Sequence, residues 1–68
     1  MTIEVTVNGD ARELAEGTTV EQLVEQLGGG DRGVAVAVDA TVVPRGAWET
    51  TTIPDGAQVE VLVAVQGG

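Results

Sequence analysis

Two stretches at opposite ends of the chain alternate between inward apolar and outward side chains, and they constrain the fold more than any other feature. Ile3, Val5 and Val7 interleave with Thr2, Glu4 and Thr6. Val59, Val61, Val63 and Val65 interleave with Gln58, Glu60, Leu62 and Ala64. A period of two sends successive side chains to opposite faces of a β-strand, so each stretch reads as a strand with one buried face. The segment between them carries the other period. Val20, Leu23, Val24 and Leu27 fall at i, i+3, i+4 and i+7, an apolar helical stripe, while Glu21, Gln22, Glu25 and Gln26 form a solvated face. A chain of 68 residues with one amphipathic helix and several strands is a single domain of the α+β class.

Local signals complete the order. Asn8-Gly9 is a strong hairpin turn, because both central positions need positive φ. The return strand is weak, roughly Ala11 to Ala15, with Leu14 pointing inward, and Glu16-Gly17 turns the chain. Thr18 opens the helix as a capping box with Glu21, and Thr19 with Gln22 offers a start one residue later. Gly28 is a left-handed helix cap, and Gly28-Gly29-Gly30 makes a flexible exit. Val34 to Val38 is a strand, Asp39-Ala40 a tight turn, and Thr41 to Val43 the return, stopped by Pro44. Gly46 to Glu49 reads as an irregular turn holding Trp48, which is placed in the core as the lone large aromatic. Thr51 to Ile53 reads as extended, Pro54-Asp55-Gly56 as a turn, and Gln58 to Val65 as the last strand. The order β-β-α-β-β-β, with the first and last strands central beneath the helix, is a β-grasp arrangement of the ubiquitin kind. It predicts a mixed sheet of four to five strands with one helix on one face. Residues 1–65 form the domain and residues 66–68 a flexible tail.

Composition removes most kinds of chemistry. The chain has no Cys, His, Lys, Ser or Tyr. The usual general base, thiolate ligands and the usual nucleophiles are therefore absent; carboxylates remain, but they sit mostly on solvent faces and turns. This excludes a self-sufficient active site and a bound metal, and makes the protein a non-enzyme. Gly28-Gly29-Gly30 lacks the strand, the following helix and the Lys of a phosphate loop. The net charge of −8 excludes nucleic acid and an anionic membrane surface as partners and favours steering to a basic protein surface. No apolar run reaches the length of a membrane span, and Met1-Thr2-Ile3-Glu4 does not resemble a signal peptide, so the expected location is cytoplasmic.

What remains is Gly67-Gly68. The pair follows the most apolar strand, carries no side chain that could pack, and puts a free carboxylate on a slender tip. Glycine lets such a tip pass through a narrow channel into another protein's active site. ATP can activate a carboxylate there as a mixed anhydride with AMP, and a sulfur nucleophile can displace the AMP. In that scheme the chain supplies a backbone carbonyl and the partner supplies every catalytic side chain. Leu62 and Ala64, with Ala35 and Ala37, fall on the open face of the sheet and form a candidate partner footprint beside the tail. Arg45 reads either as a partner contact or as a solvated charge.

Asn8-Gly9, Gly17-Thr18-Thr19-Val20 with Leu23 and Leu27, Val43-Pro44-Arg45 followed by Trp48, Asp55-Gly56, and Gly67-Gly68 occur in order over nearly the whole chain. With these features the chain resembles the thiamine-biosynthesis sulfur carriers, the ThiS family. Pro44-Arg45 with Trp48 three residues on points to that family among its relatives. Ala57 departs from the acidic residue that often follows Asp-Gly there. The resemblance implies that Gly68 is adenylated by a ubiquitin-activating-like (ThiF-type) adenylyltransferase using ATP and Mg, and that this protein binds no cofactor itself. It implies that Gly68 then becomes a thiocarboxylate with sulfur from a donor protein, and passes that sulfur to thiazole synthase (ThiG). Gly67 gives the tail its reach in the partner's channel. The alternatives are a carrier for molybdopterin or cysteine synthesis, a ubiquitin-like protein modifier, and a plain interaction module.

Overall fold

In the computed structural model, which describes residues 1–28 and 33–63, five strands form one mixed sheet and one helix packs on it. The strands are β1 (Thr2–Val7), β2 (Asp10–Ala15), β3 (Val34–Val38), β4 (Thr41–Val43) and β5 (Gln58–Val63), and the helix is α1 (Val20–Gln26). Their spatial order is β2-β1-β5-β3-β4. The two alternating stretches are therefore neighbours, β5 central and parallel to β1 with Val7 beside Val59. Antiparallel hairpins flank them on either side, β1 with β2 and β3 with β4. The expected β-grasp arrangement is present, with the fifth strand included.

Both hairpins close through left-handed pairs. Asn8 and Gly9 have φ of 52° and 85°, and Asp39 and Ala40 have φ of 50° and 68°. Such turns match the right-handed twist of the strands they join. The second pair is costlier, since alanine at positive φ is uncommon.

The helix begins one residue later than the Thr18 box predicts. Thr19 is the N-cap: its Oγ1 accepts the Gln22 amide at 3.2 Å, and Gln22 Oε1 accepts the Thr19 amide at 3.0 Å. Thr18 is turned inward and buried, with its hydroxyl donating to the Ala15 carbonyl at 2.6 Å. Its backbone also joins the end of β2 to Ile53. A side chain used inside the preceding turn cannot also cap the helix. The amides of Val20 and Glu21 donate to the carbonyls of Thr51 and Trp48, so the helix start is satisfied by protein groups. At the far end Gly28, with φ 77°, closes the helix as expected; Gly29 and Gly30 of the expected flexible exit lie outside the described residues.

Val20, Leu23 and Val24 press onto Ile3, Val5, Val7, Leu14, Val36 and Val59, and all are buried. Full burial of a Val or Leu side chain contributes roughly 1.5–3 kcal/mol. Trp48 closes one end of this core as expected and is 3% exposed, with its indole N–H donating to the Val43 carbonyl at 2.9 Å. The segment holding it is more regular than expected, a 3₁₀ turn at Arg45–Ala47. Thr51 to Ile53 makes only a single bridge, Thr19 with Thr52, and Ile53 is buried. Ala57, where the sequence departs from the family pattern, is in the core and not in an exposed turn.

Candidate functional site

β5 is the last described element of the chain, and its burial runs out along its length. Val59 is 1% exposed, Val61 is half-buried against the core, and Val63 is 62% exposed. All three point to the helix side of the sheet. The seven-residue helix spans about 10 Å at 1.5 Å per residue, whereas the six-residue strand runs about 20 Å. The alternating pattern correctly gives the face; it gives no measure of how far the helix covers it.

On the opposite face Leu62 is 65% exposed. The register sets it beside Ala35, and sets Ala37 beside Glu60 on one side and Val42 on the other. Directly opposed residues share a face, so Leu62, Ala35, Ala37 and Val42 form an apolar patch. The open-face position of Leu62, Ala35 and Ala37 matches the sequence expectation. Val42, 70% exposed, was not anticipated, because its face depends on the register of β4 against β3. Of the acidic residues on the same face, Glu60 adjoins the patch beside Ala37, while Glu4 and its cross-strand partner Glu13 lie toward the other end of the sheet, level with Gly56. Ala64, Gly67 and Gly68, the other predicted site residues, lie outside the described residues.

β5 is also stitched to both hairpin turns. The Asp39 amide donates to the Gln58 carbonyl at 2.8 Å, and Asp39 Oδ1 accepts the Gln58 amide at 2.9 Å. On the other side Asn8 Oδ1 accepts the Val61 amide at 2.9 Å, and Asn8 Nδ2 donates to the Val61 carbonyl at 3.0 Å. A cleft of about 480 Å³ opens next to this contact on the helix side, between Arg12, Leu27, Val61 and Val63. In the sequence Asn8 signals a turn and nothing more. A side chain's reach to a strand 53 positions away is invisible to a local pattern.

Among the described residues no group of three or more Asp or Glu could hold a metal ion, and no helix is long and apolar enough to cross a membrane. Glu21 and Glu25 are exposed on the outer face of α1, and Arg45 is exposed in the 3₁₀ turn.

The ThiS family profile matches residues 5–68. The sulfur carrier protein ThiS of Escherichia coli is 33% identical over 66 residues, which cover 97% of this chain and 100% of that one. A thiazole synthase of Paramagnetospirillum magneticum is 30% identical over 66 residues, which cover 97% of this chain and 20% of that longer protein. Among solved structures, the crystal structure of the thiamine biosynthesis protein ThiS from Geobacter metallireducens superposes with a TM-score of 0.80 at 33% identity, covering 97% of this chain and 100% of that one. A solution structure of a thiamine biosynthesis protein from the same organism gives the same TM-score, 0.80, with 88% of its chain covered.

Proposed function

This chain belongs to the ThiS family, and from that membership we propose that it is a sulfur carrier whose Gly68 carries sulfur for thiazole formation in thiamine biosynthesis. The observation that carries the proposal is the extent of the match. The family profile runs through Gly67 and Gly68, and the relative named as a sulfur carrier is covered from end to end. Composition supports the same reading, since a chain without Cys, His, Lys, Ser or Tyr has little to catalyse with and a carboxylate to offer.

The chemistry divides between chain and partners. A Gly68 carboxylate oxygen attacks the α-phosphorus of ATP in an adenylyltransferase of the ThiF type, and pyrophosphate leaves. The acyl adenylate presents a carbonyl carbon with a good leaving group. A sulfide-level nucleophile from the sulfur donor attacks that carbon, AMP departs with the C–O bonding pair, and the thiocarboxylate forms with release of a proton. Thiazole synthase then accepts the sulfur. The relative named thiazole synthase, which contains a stretch like this chain in one polypeptide, supports that partner. ATP and Mg belong to the activating enzyme, and the proposed location of the carrier, the cytoplasm, supplies both. Leu62, with Ala35, Ala37 and Val42, forms the face that docks on the adenylyltransferase; Ala64 and Gly67, assigned from the sequence to that footprint and to the partner's channel, lie outside the described residues.

Intact mass after incubation with ATP, sulfide and the cognate adenylyltransferase tests this reading. The expected product is heavier by the difference between sulfur and oxygen, with the change localised to Gly68. Deleting Gly68 withdraws the carboxylate by about 3.5 Å and should abolish ATP–pyrophosphate exchange. Normal exchange by the deletion variant would remove Gly68 from the mechanism.

A further inference from the structure

The backbone of β1 can serve β5 only as far as its hairpin turn. The Asn8 amide donates to the Val59 carbonyl at 2.9 Å, and the chain then enters the left-handed region at Asn8, with φ 52°. There the backbone leaves β5, two residues short of Val61. The Asn8 side chain takes over. A carboxamide is chemically a peptide group, and this one offers its oxygen to the Val61 N–H at 2.9 Å and its NH₂ to the Val61 carbonyl at 3.0 Å. The two bonds also fix which way the amide faces, because a donor must meet each acceptor.

We propose that Asn8 is a positioning residue for sulfur loading: its side chain holds the root of the C-terminal tail in the sheet at the point where core packing stops doing so. The proposal rests on the sulfur-carrier reading. Val59 needs no such help at 1% exposed; Val63, at 62%, marks where the core no longer holds the strand. Val61 lies between them, and beyond it seven residues lead to Gly68. Asp39 shows why position 8 calls for an amide. On the other flank of β5 the Asp39 backbone supplies the donor, so a carboxylate suffices as acceptor. At Asn8 one side chain supplies both halves, and a carboxylate would set its second oxygen against the Val61 carbonyl.

Asn8→Gly keeps the left-handed turn and removes both bonds, while β3 still pairs with the other edge of β5. Amide exchange at Val61 should quicken roughly tenfold, the change expected for one net hydrogen bond. In ATP–pyrophosphate exchange with the carrier as varied substrate, KM should hold, because the open face is untouched, while kcat falls. The fall should lie between about 1.5-fold, from moving the last hold on the strand two residues farther from Gly68, and about a hundredfold, from a 1 Å misplacement. Asn8→Asp, which lacks the donor, should follow Asn8→Gly. Val24→Ala, a core change on the helix, should lower stability more and leave kcat unchanged. Parent-like kcat for both Asn8 variants, or an equal loss in Val24→Ala, would overturn the positioning role. Absence of exchange with the parent protein would instead overturn the carrier reading and the role of Asn8 in loading together.

Discussion

Thr18 and Thr19 are adjacent, chemically identical and differently used. Thr19 caps α1 through a reciprocal pair with Gln22, while Thr18 is buried and ties the end of β2 to Ile53. The sequence offers two overlapping boxes. The preceding turn chooses between them, because it needs one hydroxyl for the Ala15 carbonyl. Thr19→Ala should therefore cost about 1 kcal/mol as a lost N-cap, read by chemical denaturation. Thr19→Ser should restore most of it, since the cap needs only the oxygen; a Thr19→Ala protein as stable as the parent would assign the cap elsewhere. Trp48 differs from the threonines in that its type settles its place. An indole needs burial for its rings and an acceptor for its N–H, and the Val43 carbonyl supplies the acceptor.

At the scale of elements, the two faces of β5 have different tasks. Val59 belongs to the core, whereas Leu62 is exposed beside Ala35. Leu62→Arg should shift the melting temperature little and weaken binding to the adenylyltransferase, as measured by titration calorimetry. Val59→Arg should unfold the protein, because an unpaired charge would enter the core. A large stability loss in Leu62→Arg would show that the patch packs within the domain and does not await a partner. The short helix makes this division possible. It covers the start of β5, shields Val61 only in part and leaves Val63 exposed. The helix N-terminus is closed to ligands, with Val20 and Glu21 amides held by Thr51 and Trp48.

For the whole molecule, charge and composition act together. Eleven acidic residues against three basic ones give −8, with Glu4, Glu13 and Glu60 on the same sheet face as the apolar patch. A partner docking there meets apolar contacts with Glu60 beside them and Glu4 and Glu13 farther along the face, and basic groups on that partner would gather it in. Association should slow as salt rises, since exposed charges more than about 10 Å apart are screened at 0.1 M, while dissociation changes less. Stopped-flow rates at several ionic strengths measure this. An association rate indifferent to salt would confine the charge to a solubility role.

Period and punctuation determined the element order, the buried faces of β1, α1 and β5, both hairpin turns and the core place of Trp48. These depend on interactions within a few residues or on which face is apolar, and both are written locally. The reading of Gly67-Gly68 was also local, since it rests on residue type and place. The tertiary structure alone decided the rest. The choice of Thr19 over Thr18, the burial of Ile53 and Ala57, the addition of Val42 to the open face and the fading cover along β5 all depend on distant segments meeting. The same holds for Asn8: its turn geometry follows from Asn-Gly, but its hold on Val61 exists only because the parallel pairing of β1 and β5 brings residues 53 positions apart within hydrogen-bond reach.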